Sequence, residues 1–163
     1  MNDLRVGIGT DRHPFVEGRK LILAGVEINS SVGLLGHSDG DALCHSLIDS
    51  LLGAVCLGDI GQYFPETDEW KDASSIFLLE KIIDMIRDQG WEVVNIDTIV
   101  TCGRIRLSDY RDDMIKNLSK IMNIPEQRIS VKFKSANGLG FESQDGVSVL
   151  TICLLRGPSS RNS

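Results

Sequence analysis

The sequence predicts an α+β fold in which helices pack over one face of a mixed β-sheet. Segments with the two-residue period of strands are interspersed with segments that show the 3.6-residue period of helices. The two kinds follow one another in mixed order rather than in strict alternation. The last strand segment, residues 147–155, is apolar at nearly every position, which predicts that both of its faces meet apolar partners.

The first half of the chain contributes two predicted strands and one helix. Residues 4–10 alternate apolar side chains with glycine, and residues 21–28 form a second strand that we expect to bend at Gly25. Residues 30–36 are a loop rich in serine and glycine. A helix over residues 39–56 follows, with Ser38 as its N-cap and Asp41 three residues later in a capping-box arrangement.

The second half contributes two more helices and three strands. Residues 58–70 form a polar loop long enough to be functional. Helices are predicted over residues 73–88, before Gly90, and over residues 108–122, before Pro125. The remaining predicted strands cover residues 91–101, 129–134 and 147–155, and a glycine-bearing loop at residues 137–146 joins the last two.

Size and composition predict a single domain at residues 1–156 with a flexible tail at residues 157–163. The chain has 163 residues, 42% of them hydrophobic and 25% charged, as in soluble globular proteins. A net charge of −6 argues against a partner that is a nucleic acid polymer. The apolar runs are too short to span a bilayer and the first residues lack a signal-peptide pattern, so we expect a cytoplasmic protein with no membrane partner. The four widely spaced cysteines are expected to be buried reduced thiols.

The predicted sheet needs cover on the face that the helices leave free. Because the last strand is apolar on both sides, packing against copies of the same chain is the simplest way to bury that face. The sequence therefore predicts an oligomer.

Two of the three histidines lie where they could bind a metal with a nearby acid. Asp11 and His13 are two residues apart, so on an extended strand both side chains point to the same face, and His45 would approach from the following helix. One carboxylate and two imidazoles, with a fourth position open, is a ligand set typical of catalytic zinc. The alternative is a solvated turn histidine and a hydrogen-bonded interior histidine. Cys44 could compete as a ligand, but it points about 100° away from its neighbour on a helix and is expected to pack.

Two short segments have the character of phosphate or hydroxyl contacts. His37 and Ser38 stand at the predicted helix start, where free backbone N–H groups and the helix dipole favour an anion. Simple capping by Ser38 is the alternative. Asp59 lies between two glycines just after that helix, where its carboxylate could meet a ligand hydroxyl or remain solvated in a turn.

Basic side chains at two predicted strand ends are either ligand contacts or solvated surface residues. Lys132 and Lys134 precede the glycine-containing segment Ser135–Phe141, and Arg104 and Arg106 follow another strand. They could contact phosphate or lie solvated on an edge strand.

Three motifs together resemble one enzyme family. They are residues 7–13 (GIGTDRH), residues 33–41 (GLLGHSDGD) running on to His45, and residues 57–61 (LGDIG) with residues 64–68 (FPETD). Over residues 4–155 their order and spacing resemble the 2-C-methyl-D-erythritol 2,4-cyclodiphosphate synthases of the non-mevalonate isoprenoid pathway.

The resemblance implies a reaction, cofactors and an assembly. The reaction converts 4-diphosphocytidyl-2-C-methyl-D-erythritol 2-phosphate to the cyclodiphosphate and releases CMP. It implies Zn²⁺ or another divalent metal at Asp11, His13 and His45, and a second divalent ion, Mg²⁺ or Mn²⁺, that bridges the substrate diphosphate. It also implies a homotrimer whose sheets face the centre and whose active sites lie between adjacent subunits.

The resemblance further implies roles for individual residues. Those expected in catalysis are His37, Ser38, Asp59, Lys132 and Ser135. Those expected to bind substrate are Asp11, His13, His37, Ser38, Asp59, Gly61, Phe64, Asp68, Arg104, Arg106, Lys134, Ser135, Asn137 and Phe141.

The chain departs from the family pattern in two loops. Asn137 stands where the family has a glutamate that helps hold the second metal, so Glu142 or Asp145 is an alternative ligand. In the loop before the last strand, which also is one residue short, Gln144 stands near the position of the family's usual arginine. In the cytosine-binding loop, Ile105 replaces a proline and Arg106 replaces a lysine. These departures leave open a paralogue that binds an isoprenoid or phosphorylated ligand without catalysis. An unrelated zinc hydrolase is a third reading, against which no glutamate base of the His-Glu-x-x-His kind is present.

Overall fold

A computed structural model describes the backbone of residues 2–159. Its main sheet has five strands in the order β4-β1-β7-β5-β6, antiparallel except for the parallel pair β5–β6, and β2 and β3 form a separate hairpin. The strands are β1 (Asn2–Glu17), β2 (Leu21–Leu23), β3 (Val26–Ile28), β4 (Val32–Leu34), β5 (Glu92–Thr101), β6 (Ile129–Lys134) and β7 (Gly146–Ser159). The helices are α1 (Ala42–Ala54), α2 (Ile60–Tyr63), α3 (Ser75–Asp88) and α4 (Arg111–Met122). The predicted mixed sheet with helices is confirmed.

Helix α1 lies directly on the sheet because β1 has glycines beneath it. A Cβ atom on Gly7 would lie 1.8 Å from the Ser50 carbonyl oxygen, and one on Gly9 would lie 2.0 Å from the Ser46 carbonyl oxygen. Only glycine permits this approach of helix and strand backbones. The same contact brings the first turns of α1 close to residues 11–13 of β1.

Strand β1 is longer than predicted, and this changes the setting of the first metal-ligand candidates. The prediction ended at Thr10, but β1 stays paired with β7 through Pro14 and then pairs with β4 from Phe15 onward. The strand was not recognised there because residues 10–13 are polar on both faces of the sheet, so no apolar residue alternates with a polar one. Asp11 and His13 therefore lie on a strand whose backbone is paired with β7 at these residues and with β4 two residues after His13.

The start of α1 was predicted wrongly. The helix begins at Ala42, and its N-cap is Asp41, whose carboxylate accepts a hydrogen bond from the Cys44 backbone N–H at 3.0 Å. Gly40 has a φ of 76°, which breaks the helix before that point. Ser38 is therefore not the helix cap, and His37 and Ser38 lie in the segment before the helix rather than at its first turn.

Other boundaries shift for local reasons. The expected bend at Gly25 is a tight turn, with φ of 52° at Ala24 and 71° at Gly25, so residues 21–28 form the β2–β3 hairpin. Residues 32–34, expected in a loop, pair as β4. The predicted helix 108–122 divides into a 3₁₀ turn at Ser108–Tyr110 and then α4.

Two further expectations need correction or lie outside the described residues. Strand β7 continues to Ser159, so residues 157–159 of the predicted tail are part of the sheet, and residues 160–163 lie outside the described chain. Cys56 is exposed, whereas the other three cysteines are buried as expected.

The core lies between the helices and one face of the sheet. The predicted inward face of the helix is buried throughout, from α1 to the residue that follows it: Leu43, Leu47, Ile48, Leu51, Leu52 and Val55. The opposite face of the sheet is open, and large apolar side chains on it are 41–67% exposed: Leu4, Val6, Ile8 and Ile152. Among the described residues, no helix is both long and apolar enough to cross a membrane.

Candidate functional site

Asp11, His13 and His45 converge at the junction of β1 and α1. Strand alternation turns Asp11 and His13 toward α1, and the close packing over Gly9 brings His45 to them. Asp11 Oδ2 lies 2.8 Å from His13 Nε2 and 3.0 Å from His45 Nδ1, and the two imidazole nitrogens are 3.2 Å apart. The predicted grouping of these three residues is confirmed.

This donor set fits a divalent metal ion. Ligand atoms about 2.0–2.1 Å from a tetrahedral zinc lie about 3.3 Å from one another, close to the separations between these three donors. The three side chains are only 13–23% exposed, so a bound ion would be shielded on the protein side. Three protein donors leave a coordination position for a water or substrate oxygen.

The charges of the cluster favour an ionised carboxylate. Burial tends to raise the pKa of Asp11, but hydrogen bonds and charge from His13 and His45 hold the pKa of that carboxyl well below its ordinary value. Burial tends to lower the pKa of His13, yet the Asp11 carboxylate raises it above the usual histidine value. Protons and a metal ion therefore compete for the same donor atoms.

Each histidine is anchored through its second ring nitrogen. His13 Nδ1 lies 2.6 Å from the Leu35 carbonyl oxygen, and His45 Nε2 lies 2.9 Å from Ser75 Oγ and 3.0 Å from Ser38 Oγ. Such anchoring orients both rings before a metal arrives.

A cleft of about 210 Å³ opens beside the Asp11–His13–His45 cluster. We name it the metal-centred cleft after the ion that this cluster could hold. The loop between α1 and α3 forms its outer wall, where the Phe64 and Trp70 rings meet edge to face at 5.0 Å. His37 Nε2 lies 2.7 Å from the Thr67 carbonyl oxygen, which ties the loop to the segment before α1. The lining residues are Asp11, His13, His37, Ser38, His45, Ile60, Gly61, Phe64, Glu66, Trp70 and Leu78.

Two predicted residues of that loop do not line the cleft in the single chain. Asp59 is the N-cap of α2 and accepts a hydrogen bond from the Gln62 backbone N–H at 3.2 Å. Asp68 is exposed at the outside of the loop. The structure thus brings Gly61 and Phe64, but neither of these two acids, to the metal-centred cleft.

A second depression of about 400 Å³ gathers another predicted group. Its walls are residues 102–108 and the end of β6, and they include Arg104, Arg106, Lys134 and Ser135. The sequence placed these residues in separate candidate segments, and the parallel pairing of β5 with β6 unites them. Within one chain this depression and the metal-centred cleft share no lining residue.

In the single chain, Lys132 lies apart from the other residues expected in catalysis. It projects from the opposite face of β6 to Phe133, and its ammonium lies 2.6 Å from Asp97 Oδ2. Lys132 therefore joins neither the metal-centred cleft nor the second depression. The physical reason is its position along β6: Lys132 lies two residues before Lys134 on the same face of the strand, where it reaches Asp97 on the neighbouring strand β5.

The loop after β6 makes contacts within itself and with β1. The Asn137 amide oxygen accepts a hydrogen bond from Ser135 Oγ at 3.1 Å. The Arg12 guanidinium carbon lies over the Phe141 ring, 5.3 Å from the ring centre. Arg12 also forms an ion pair with Glu142 at 3.1 Å. Glu142 is thus committed to an ion pair, which disfavours it as the substitute metal ligand.

Several site residues escaped the sequence reasoning. Glu66 and Trp70 line the cleft, and Asp39 and Ser75 adjoin the metal cluster through hydrogen bonds. Asp49 follows His45 by one helical turn and accepts the Ile60 N–H at 2.8 Å, and burial raises the pKa of its carboxyl. The four-residue spacing from His45 was the available signal for Asp49, whereas nothing local to Ser75 indicated its position.

Comparisons with known proteins agree with this geometry. The family model described as the YgbB family matches residues 4–156. The 2-C-methyl-D-erythritol 2,4-cyclodiphosphate synthase of Thermotoga maritima is 51% identical over 151 residues, which cover 92% of this chain and 90% of that protein.

Solved structures agree as well. A structure of a 2C-methyl-D-erythritol-2,4-cyclodiphosphate synthase in a CDP-bound form superimposes with a TM-score of 0.86 at 37% identity and covers 93% of this chain and 99% of its own. The bifunctional IspDF of Campylobacter jejuni gives a TM-score of 0.92 at 41% identity, with 97% of this chain matched to 43% of that longer protein. By its sequence, its fold and its metal-ligand cluster, the chain belongs to the YgbB family, the family of the 2-C-methyl-D-erythritol 2,4-cyclodiphosphate synthases.

Proposed function

We propose that this chain converts 4-diphosphocytidyl-2-C-methyl-D-erythritol 2-phosphate to 2-C-methyl-D-erythritol 2,4-cyclodiphosphate and releases CMP, as a cytoplasmic enzyme of isoprenoid precursor synthesis. The observation that carries this proposal is the Asp11–His13–His45 cluster at the base of a cleft, in a chain 51% identical to a synthase of that name. The substrate's own 2-phosphate attacks its β-phosphate, the bond to CMP breaks, and no protein nucleophile is needed.

The residues of the cleft position two phosphates that repel each other. A Zn²⁺ held by Asp11, His13 and His45 would neutralise and polarise the attacked diphosphate. His37 and Ser38 lie at the same cleft and contact phosphate oxygens, and Gly61 and Phe64 hold the methylerythritol part. Catalysis then consists mainly of positioning and of charge stabilisation.

A second divalent ion, Mg²⁺ or Mn²⁺, would neutralise part of the charge of the substrate diphosphate in this proposal. Asn137 offers only an amide oxygen, which already accepts from Ser135. Asn137 would therefore hold such an ion more weakly than a glutamate, and binding of the ion would depend more on the substrate phosphates.

The active form is a homotrimer whose sheets face the centre. The apolar row on the open sheet face supports this, because exposed apolar patches of this kind mark interfaces. The separation of the two clefts supports it too. In a trimer the second depression, with Arg104, Arg106, Lys134 and Ser135, faces a neighbour's metal-centred cleft and holds the cytidine and its phosphates.

The test is CMP release from the proposed substrate with zinc and magnesium, against a chelator control. We expect metal-dependent CMP together with the cyclic product, and we expect Asp11→Asn to lose at least a thousandfold of the rate. The matched control is Asp84→Asn, an exposed change on α3 that should leave the rate unchanged. Zinc-loaded protein that releases no CMP would contradict the proposal and favour a binding paralogue. Release of inorganic phosphate instead would favour a hydrolase.

A further inference from the structure

We propose that Ser75 and Asp39 are positioning residues that hold His45 in the tautomer whose bare Nδ1 faces the metal. The inference rests on the metal-binding part of the proposed function and is independent of the substrate. It assigns a role to two residues outside the ligand set, one of them on a different helix from His45.

The contacts form a chain that leads away from the metal cluster. His45 Nδ1 faces Asp11 and His13, and its Nε2 points to Ser75 Oγ at 2.9 Å. The Ser75 hydroxyl in turn donates to Asp39 Oδ1 in a short hydrogen bond. The order is therefore imidazole, hydroxyl, carboxylate.

Counting protons along this chain leaves one arrangement. The Asp39 carboxylate is an acceptor, and three donors point at it: the Ser75 hydroxyl, the Ser75 backbone N–H at 3.0 Å and the Asp41 backbone N–H at 3.2 Å. A serine hydroxyl has one proton to donate, and here the hydroxyl donates it in the hydrogen bond to Asp39. Ser75 Oγ can then only accept from His45, so the imidazole proton stands on Nε2 and Nδ1 is free to bind a metal.

The chain is also mechanically fixed. Ser75 is fully buried at the first position of α3. The Asp39 carboxylate accepts a hydrogen bond from the Ser75 backbone N–H at the positive end of that helix. The Asp39 backbone N–H is itself bound to the Ala73 carbonyl oxygen at 3.1 Å. The start of α3 and the segment before α1 are thereby joined behind His45.

Ser38 gains a separate role from this arrangement. Its Oγ is 3.0 Å from the same Nε2 and 3.4 Å from the Gly40 backbone N–H, and both of these groups are donors. The Ser38 hydroxyl proton is therefore not needed to orient His45. It can be donated to Ser75 Oγ, 3.4 Å away, or to a ligand in the cleft that Ser38 lines.

The first experiment needs no variant. Imidazole nitrogen NMR of the metal-free wild-type protein, recorded at alkaline pH where a free imidazole is neutral, reports the proton position on His45 directly. We expect the proton on Nε2. A proton on Nδ1 would overturn the proposal.

The second experiment compares neighbouring serines. Ser75→Ala removes the acceptor, and Ser74→Ala is the matched control because Ser74 is exposed and makes no side-chain cap hydrogen bond. Chelator competition should show zinc bound 10–100-fold more weakly by Ser75→Ala, the size typical of loss of a group that orients a metal ligand. The Ser74→Ala protein should bind zinc as the wild type does.

A role in stability alone predicts a different pattern. Ser75→Thr retains the hydroxyl, so it should keep the Nε2–H tautomer and zinc affinity within about threefold even if the extra methyl lowers the melting temperature. Zinc affinity of Ser75→Ala equal to that of Ser74→Ala, with only the melting temperature reduced, would refute the proposal. Both readouts are taken without substrate, so they remain valid whatever reaction the enzyme performs.

Discussion

One buried carboxylate, Asp41, joins two parts of the chain through three hydrogen bonds. It is fully buried and accepts the backbone N–H of Ala24 at 2.9 Å, of Gly25 at 2.7 Å and of Cys44 at 3.0 Å. The β2–β3 turn and the first turn of α1 thus share one acceptor. Burial raises the pKa of Asp41, but the three donors compensate for much of that cost.

Replacing that acceptor should destabilise the protein strongly. Asp41→Ala leaves three buried N–H groups without their partner, so we expect the free energy of unfolding to fall by about 3 kcal/mol or more. Urea denaturation at fixed protein concentration measures this. The exposed variant Asp84→Ala is the control and should change it by less than about 0.5 kcal/mol. Equal stability of the two variants would show that water satisfies these donors.

The Lys132–Asp97 pair should contribute a small and pH-dependent stabilisation. The hydrogen bond from Lys132 lowers the pKa of Asp97 below its usual value, so the contribution is present above pH 3.8 and is lost as pH falls through the lowered pKa. Both side chains are 43% exposed, so we expect Lys132→Ala to cost less than about 1 kcal/mol at pH 7.

Urea titrations of wild type and Lys132→Ala at pH 7 and pH 2.5 check this. The difference between the two proteins should shrink at the lower pH. A difference that grows instead would show that Lys132 acts through another group.

At the scale of elements, the β1–α1 contact decides whether a metal cluster exists. Gly7 and Gly9 let the α1 backbone rest on β1, and Asp11, His13 and His45 are brought together only because of that contact. The motif glycines therefore serve the site through packing.

Gly9→Ala should separate the two elements. Its Cβ would meet Ser46 O at 2.0 Å, so we expect about 1–3 kcal/mol of destabilisation and weaker zinc binding in the same variant. Gly53→Ala is the matched control, because its Cβ would meet only Ile8 O at 3.8 Å in an exposed helical position. That change should be neutral or stabilising by up to about 1 kcal/mol. Unaltered zinc affinity in Gly9→Ala would mean that the site tolerates the helix shift.

At the scale of the whole molecule, the sheet has two unlike faces. One carries the core and the metal cluster, and the other exposes Val6 and Ile8 at 67% and 61%. A monomer would leave this apolar row in water at considerable cost.

Ile8→Glu should therefore dissociate the proposed trimer. A charge at the centre of an apolar interface is desolvated without a partner, so light scattering after size exclusion should report monomers at micromolar concentration. Phe77→Glu is the control, since Phe77 is 48% exposed on α3, a helix away from that face, and should stay trimeric. A trimeric Ile8→Glu protein would place the interface elsewhere.

Much of the fold was predictable because strands and helices have periods of their own. The helical segments and the strand 129–134 stand out by periodicity, and the strand 147–155 stands out as a nearly continuous apolar run, which also indicates the need to cover the free sheet face. The extension of β1 through His13 was not predictable, since its residues there are polar and the pairing with β7 and β4 that holds them is non-local.

The sequence by itself determined the ligand types and the family, since Asp11, His13, His45 and the surrounding motifs are local patterns. Only the tertiary structure decided which residues meet. It joined Ser75 and Asp39 to His45, gathered Arg104 with Lys134, and removed Lys132 from both clefts. The physical reason is that residue spacing sets the direction of a side chain along its own strand or helix, whereas contacts between elements depend on packing and strand pairing, which no short window of sequence contains.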